Sequence, residues 1–280
     1  MSEPVHLPAD SNQALGIAQY AIDFLSDDPA KQGKPGAAVL EKTNLFHTDA
    51  VLCGLSALAL GTNAPTVLRD EALPYPLAPG EKGATVFGSD TPVKPEKAIV
   101  ANSAAVREWD SNGTNFGYNP ERNHTAGEFG HNDFYPVAIA AAQVTGADGE
   151  KALRAMVCHD EIRGRLAEVF SLKTYKIDHV VHGAIASAAV YGAMLGATAE
   201  QIESAIGMAV AHYIPLRANR AGKPLSDSKG SSAASSTEAA VLSVKRSMAG
   251  FLGPRDIFRT PEAVFRIFEG PGQMFKAVNA

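Results

Sequence analysis

Apolar residues recur every three to four positions over most of this chain, which is the spacing of amphipathic helices. The pattern predicts helices over residues 11–25, 37–60, 95–109, 135–145, 151–172, 180–195, 199–212 and 231–248, the second with a break near 44–47. Asp10 or Ser11 is the predicted N-cap of the first helix. Residues 61–93, rich in Gly and Pro, are predicted to be a connector. Because no alternating strands are evident, we predict an all-α, multi-helix globular domain.

A long polar segment interrupts the helical pattern. Residues 109–131 read WDSNGTNFGYNPERNHTAGEFGH and contain Asp110, Thr114, His124, Glu128 and His131. Loops of this length without evident structure of their own are uncommon and tend to be functional. We therefore predict that residues 109–133 form an active-site loop on a helical scaffold.

The composition narrows the class of protein. With 280 residues, 45% of them hydrophobic and 20% charged, the chain resembles soluble globular proteins. Its net charge of −5 argues against general affinity for nucleic acid or anionic membranes, and its apolar runs are short for a membrane span. No secretory signal is evident, so we expect a cytoplasmic protein. Cys53 and Cys158 lie in helical patterns, where we expect buried, reduced thiols.

The polar loop offers candidates for acid/base chemistry. His131 follows Gly130 at the end of the loop, and an imidazole titrates close to neutral pH. Asp110 could orient an imidazole, and Thr114 could donate a hydrogen bond to a substrate oxygen. The structural alternative is that Asp110 caps the preceding helix or the following turn, and that His131 is an N-cap.

A second group of candidates lies at the start of the helix predicted over 180–195. His179 and His182 are found there, with Asp178 available as the N-cap. The positive end of a helix lowers the pKa of a histidine, so a neutral imidazole could exchange a proton with a bound acid. A His-x-x-His step is also compatible with zinc, although such pairs are common by chance. Structural histidines are the remaining alternative.

Four cations lie within thirteen residues near the last long helix. They are Arg217, Arg220, Lys223 and Lys229, against one acid, Asp227. This excess suits a substrate with several carboxylates, because an arginine grips a carboxylate with two parallel hydrogen bonds. A solvated, Ser-rich loop is the alternative. The sequence has no Gly-rich phosphate-binding motif and too few cysteines for an iron–sulfur centre, so neither nucleotide binding nor such a centre is expected.

Taken together and in this order, the candidate segments resemble the MmgE/PrpD family, which includes 2-methylcitrate dehydratase and cis-aconitate decarboxylase. The likeness covers roughly residues 10–265 and rests on the following residues: Asp110, Thr114, Gly130–His131, Asp178–His179–Val180, Leu216–Arg217, Arg220 and Lys229. Two positions depart from the family pattern. Ser111–Asn112–Gly113 replaces an acidic stretch, and Asn132 replaces a proline.

The resemblance implies a helical domain over residues 1–265, with 266–280 as the truncated start of a lid-type domain or a tail. It also implies a homodimer that dehydrates a tricarboxylate such as 2-methylcitrate without metal or cofactor. Removing a proton and expelling a hydroxyl needs a base, an acid and cations on the carboxylates. The resemblance assigns proton transfer to His131 and His179. The other assignments are orientation by Asp110 and Thr114, and carboxylate binding by Arg217, Arg220 and Lys229.

Other functions stay open. The L-R-x-x-R segment resembles dehydratases more than decarboxylases, but decarboxylation or isomerisation of a related acid is an alternative within the family. The alternative of a different class is an inactive helical fragment, or a subunit that a separate lid polypeptide completes.

Overall fold

The computed structural model describes residues 5–111, 113, 116, 121, 131–169, 172, 175–222, 224–262 and 278–279, the backbone alone at 131 and 278–279. Within these residues the chain is an all-α domain, as predicted. Its helices are α1 (Gln13–Phe24), α2 (Ala37–Ala59), α3 (Asn63–Ala72), α4 (Pro95–Arg107), α5 (Tyr135–Thr145), α6 (Gly149–Val169), α7 (Val180–Met194), α8 (Ala199–His212), α9 (Asp227–Gly230) and α10 (Ser232–Met248). The predicted domain boundary at 265 lies outside the described residues and stays a prediction.

Strands are short wherever the structure is described. β1 (His6–Leu7) pairs antiparallel with β4 (Val278–Asn279), and β2 (Ala84–Thr85) pairs antiparallel with β3 (Pro92–Val93). The first ladder joins residues 6–7 to residues 278–279, and the second lies within the connector between α3 and α4. They form no parallel sheet.

Helix α7 is the centre of the domain. Its sequence, VVHGAIASAAVYGAM, is apolar on every side, and each of its residues except Ala193 is buried. Helices α1, α5, α6, α8 and α10 pack around it. Small residues permit the close approach that this packing needs. A Cβ added at Gly183 would overlap the ring of Phe134, and one at Gly192 would lie 2.6 Å from Ile202 Cγ1.

Several sequence predictions need correction. Asn12, rather than Asp10 or Ser11, caps α1, because its side chain accepts a hydrogen bond from the Leu15 N–H. Helix α2 is continuous through residues 44–47, and α3 occupies part of the predicted connector. Both cysteines are free. Cys158 is buried as expected, whereas Cys53 is partly exposed.

Among the described residues, no single helix is both long and apolar enough to cross a bilayer. Helices α2 and α3 meet the criterion only as a pair, and they are bent by 93° relative to each other.

Candidate active site

Five short segments bring charged side chains to one end of the helical domain. They are the end of α4, the 3-10 helix His131–Phe134, the start of α7, the 3-10 helix Arg217–Arg220, and α9 with the first turn of α10. Helix termini and short 3-10 turns hold backbone groups near the surface, so polar side chains gather there without interrupting the apolar core.

Asp110 lies between two cations. Arg107 Nη2 is 2.6 Å from Asp110 Oδ1, and Lys229 Nζ is 2.5 Å from Oδ2. Burial alone would raise the pKa of Asp110, but the hydrogen bond from Lys229 and the charge of Arg107 hold it below the ordinary value. Asp110 also has a left-handed φ of 54°, which non-glycine residues adopt rarely. The carboxylate of Asp110 thus binds two cations. Asp110 is not the C-cap of α4, because Glu108 occupies that position.

A pocket of about 240 Å³ opens beside Asp110, and we call it the charged pocket. Its lining residues are Arg107, Glu108, Asp110, Leu225, Ser226, Asp227, Lys229 and Gly230. Acids outnumber cations in this lining, and both cations already contact Asp110. The sequence predicted an excess of cations over residues 217–229. Of those cations only Lys229 lines this pocket, and it is paired with Asp110.

Asp178 is the centre of a second, buried cluster. Arg220 donates to it twice, from Nε to Oδ2 at 2.6 Å and from Nη2 to Oδ1 at 3.0 Å. The Ser232 hydroxyl donates to Oδ2 at 3.2 Å. His179 Nδ1 lies 3.1 Å from Oδ1. Asp178 also accepts the Val180 N–H at 3.3 Å, but the N-cap of α7 is His179 rather than the predicted Asp178. Four groups thus hold one buried carboxylate in place.

His179 is neutral and has a defined tautomer. Burial lowers its pKa to about 4, although the hydrogen bond with Asp178 opposes that shift. The sequence predicted a lowered pKa for this histidine, and that direction is confirmed. The principal cause is burial rather than the positive end of the helix. Because a neutral imidazole has one N–H, the contact with Asp178 places it on Nδ1 and leaves the lone pair on Nε2. The pair is arranged as a base and its orienting carboxylate.

The two clusters belong to one electrostatic network. The charge of Arg220 acts on Asp110, on Asp133 and on His179. Arg163, fully buried on α6, acts on Asp133 and His179, and its guanidinium lies 4.6 Å from the ring centre of Phe134. The structure therefore brings Asp110, Lys229, His179 and Arg220 together at one end of the domain.

Three charged residues of this network were missed in the sequence: Arg163, Arg107 and Asp133. Arg107 is buried and contacts both Asp110 and Asp133, with its Nε 3.4 Å from Asp133 Oδ2. Asp133 is fully buried, and burial raises its pKa to about 6 against the charges of Arg107, Arg163 and Arg220. Asp133 lies within the predicted loop, two residues after His131. That position is the one signal that could have identified it.

The structure describes the remaining predicted site residues only in part. Thr114, Lys223 and the side chain of His131 lie outside the described residues. The His131 backbone opens a 3-10 helix, and Phe134 occupies the N-cap position of α5. Arg217 is half-buried, and its guanidinium has no ion-pair partner among the described residues. His182 is buried. In the described part of the chain, no three His, Cys, Asp or Glu side chains form a group suited to a metal.

The fold and the site define a helical domain with a histidine–carboxylate pair next to a charged pocket. The model of the MmgE/PrpD N-terminal domain family matches residues 17–275, so the chain belongs to the MmgE/PrpD family.

Among curated proteins, the chain is similar to several enzymes named 2-methylcitrate dehydratase. It is 30% identical to that of Cupriavidus necator over 213 residues, which cover 72% of this chain and 41% of the relative. It is 29% identical to the mitochondrial enzyme of Yarrowia lipolytica over 252 residues, covering 84% and 44%. For the Escherichia coli K12 enzyme the identity is 26% over 248 residues, covering 84% and 50%. The chain spans half or less of the length of these relatives.

Proposed function

We propose that this protein is a hydro-lyase of the 2-methylcitrate dehydratase type, which removes water from a tricarboxylate by acid/base catalysis without a metal. The observation that carries the proposal is the neutral His179, oriented by Asp178, in the same network as the cations of the charged pocket. The names of the relatives support the choice of substrate.

The proposed chemistry separates proton transfer from carboxylate binding. His179 Nε2 takes the proton from the carbon next to a carboxylate. The electrons of that C–H bond form the double bond as the C–O bond of the neighbouring carbon breaks. His131 supplies a proton to the leaving hydroxide, which departs as water. Such positioned acids and bases contribute about 10²–10⁴-fold each.

Substrate binding requires an exchange of partners in the charged pocket. Lys229 and Arg107 are both neutralised by Asp110, so a substrate carboxylate would replace Asp110 on at least one of them. Released Asp110 would then be free to orient His131 or the substrate, with Thr114 as a hydrogen-bond donor. Arg217 provides a further cation for a carboxylate, and Arg220 acts through Asp178.

The test is turnover of 2-methylcitrate, citrate and cis-aconitate by the purified chain, followed by alkene absorbance and carbon dioxide release. We expect alkene formation from 2-methylcitrate and a loss of at least 100-fold in both Lys229→Met and His179→Asn. Lys245→Met is the matched control, because Lys245 has a similar exposure (35% against 28%) and is also paired with a carboxylate, Glu96 at 2.9 Å. Undiminished turnover in both site variants would reject the assignment. Carbon dioxide without water loss would instead indicate a decarboxylase.

A second candidate is a helical domain that works only under a covering polypeptide. Exposed apolar side chains on the segments that carry the site favour it, since Trp109, Leu216 and Leu225 are 40%, 63% and 50% exposed. Where such side chains form one patch, they mark a surface that binds another chain. This candidate predicts that the chain alone binds tricarboxylates but does not convert them. We also propose a homodimer, which would give twice the chain mass of 29.3 kDa by light scattering.

A further inference from the structure

Asp133 is an unusual carboxyl group. It lies in the 3-10 helix His131–Phe134, directly before α5, and it is fully buried. Within the described part of the chain neither of its oxygens has a hydrogen-bond donor, and its ion pair with Arg107 spans 3.4 Å. Buried carboxylates are ordinarily paired and hydrogen-bonded, because an unsatisfied charge in the interior is costly. A buried carboxyl held this loosely is poised to change its protonation state.

The counter-charge of Asp133 is shared with the charged pocket. Arg107 Nε faces Asp133, whereas its Nη2 binds Asp110, and the side chain lines the pocket. Arg163 on α6 and Arg220 on the 3-10 helix 217–220 also act on Asp133 from a greater distance.

Helices α5 and α10 also pack against this 3-10 helix, the carboxylate of Asp110 raises the pKa of Asp133, and other neighbours contribute further titratable groups. Helix α2 contributes Asp49, whose Oδ2 lies 3.5 Å from Asn132 Nδ2. Helix α7 contributes His179 and His182 at its start, and α6 contributes His159, which stacks on Phe134 at 5.1 Å. Among the cations that act on Asp133, Arg107 lines the charged pocket. A ligand in the pocket can therefore change the position of Arg107 directly.

We propose that Asp133 takes up a proton when the charged pocket binds a carboxylate ligand. This inference rests on the proposed function for the class of ligand. A bound carboxylate competes with Asp133 for Arg107 and adds negative charge nearby. Both effects disfavour the ionised form of a buried carboxyl group. The proton on Asp133 would thereby remove one negative charge near the pocket when the ligand adds negative charge to it.

The proposal predicts a defined dependence of affinity on pH. Burial raises the pKa of free Asp133 to about 6, so the group is largely ionised at pH 7 before binding. If binding raises this pKa further, the ligand binds more tightly to the protonated protein. Affinity is then constant below about pH 6 and falls by up to tenfold per pH unit above it, until the pKa of the complex is reached.

The experiment is calorimetric titration with propane-1,2,3-tricarboxylate in two buffers of different ionisation enthalpy at pH 7. This probe has no hydroxyl to lose, so binding is separated from turnover. We expect the wild-type protein to take up a larger fraction of a proton than Asp133→Asn, whose affinity should be nearly independent of pH between 6 and 8. Protonation of the probe itself cancels in this comparison.

Asp160→Asn is the matched control. Asp160 is a partly buried carboxyl group whose pKa burial likewise raises, to about 7, but Tyr135 donates to it at 2.7 Å and it does not line the charged pocket. We expect this control to keep the wild-type proton uptake.

The outcomes separate this inference from the proposed function. Equal uptake in wild type and Asp133→Asn, or a loss of uptake in Asp160→Asn instead, overturns the inference. A wild type that binds the probe without proton uptake overturns it as well, whether or not the variants fold. Turnover of 2-methylcitrate with no uptake rejects only this inference. Uptake without any turnover rejects only the hydro-lyase.

Discussion

Replacement of Arg220 by methionine is expected to destabilise the protein strongly, although Arg220 lies on a short surface turn. Its guanidinium makes two hydrogen bonds to Asp178, at 2.6 and 3.0 Å, and that carboxylate is fully buried. In Arg220→Met the carboxylate keeps the Ser232 hydroxyl, His179 Nδ1 and the Val180 N–H, but it loses its principal cation. The variant therefore leaves a buried carboxylate with neutral donors and no paired cation.

The magnitude follows from the burial of the pair. Removing one partner of a buried ion pair costs about 3–5 kcal/mol, whereas an exposed pair contributes about 0–1 kcal/mol. The Arg220 side chain is 10% exposed and Asp178 is inaccessible, so the buried value applies. We expect a loss near 3 kcal/mol, because the hydroxyl of Ser232 still supplies a hydrogen bond of about 1 kcal/mol.

The loss should depend on pH. Burial would raise the pKa of Asp178, but the hydrogen bonds of His179 and Arg220 hold it well below its ordinary value. A depressed pKa contributes stability above the unfolded value of about 4, and this contribution disappears as pH falls. In Arg220→Met the pKa of Asp178 rises, so the folded protein can protonate the carboxyl group. The difference between variant and wild type is therefore largest near pH 7 and smaller near pH 4.5.

Urea denaturation at both pH values measures these differences. Arg217→Met is the matched control, since Arg217 lies in the same turn and has no ion-pair partner among the described residues. It should change the free energy of unfolding by less than about 1 kcal/mol. The double variant Asp178→Asn with Arg220→Met should recover most of the stability, because it removes both charges. A loss below 1 kcal/mol in Arg220→Met, with no pH dependence, would refute the buried-pair reasoning.

Two further predictions concern the packing and the protonation of the site. In Gly183→Ala the new methyl group would overlap the Phe134 ring, so we expect a loss of about 1–3 kcal/mol by thermal denaturation. Gly149→Ala is its control, because a Cβ there meets no atom within 4 Å, and equal losses would contradict the packing argument. His179 should titrate near pH 4 in nitrogen NMR spectra, with Nδ1 protonated at pH 7. A midpoint near 6.5 would show that burial does not control this imidazole.

The helices could be predicted well because their signal is local. Periodicity and flanking residues give the bounds of α5 and α8 as the structure has them, and α8 begins with a capping box of Thr198 and Gln201. Helix α3 was missed because Gly61 and Pro65 suggest a connector. Pro65 is compatible with helix there, since it lies in the first turn, where backbone N–H groups have no helical acceptor.

The site was predicted less completely because its contacts are tertiary. Asp178 and His179 are neighbours in sequence, and their pairing could be inferred from the start of a helix. The contact between Arg107 and Asp133 joins the end of one helix to the start of another across the polar loop. Nothing local distinguishes Arg107 from an exposed arginine on the last turn of α4. The pairing of Arg220 and Lys229 with carboxylates was missed for a similar reason, since Asp178 and Asp110 are distant from them in sequence.

The arrangement of charges constrains how a tricarboxylate could bind. Arg107 and Lys229 face Asp110 and Asp133, and the lining adds Glu108 and Asp227, so this part of the site has no net positive charge to offer a ligand with three carboxylates. Release of Arg220 from Asp178 is energetically unfavourable, because the Asp178 carboxylate would be left buried without its cation. Compensation must then come from Arg217, from a proton on Asp133, or from a cation that covers the pocket. Under the proposed function, the affinity for the substrate is therefore the difference in free energy between the ion pairs that form and those that break. Loss of the single proton at Asp133 should weaken this affinity measurably.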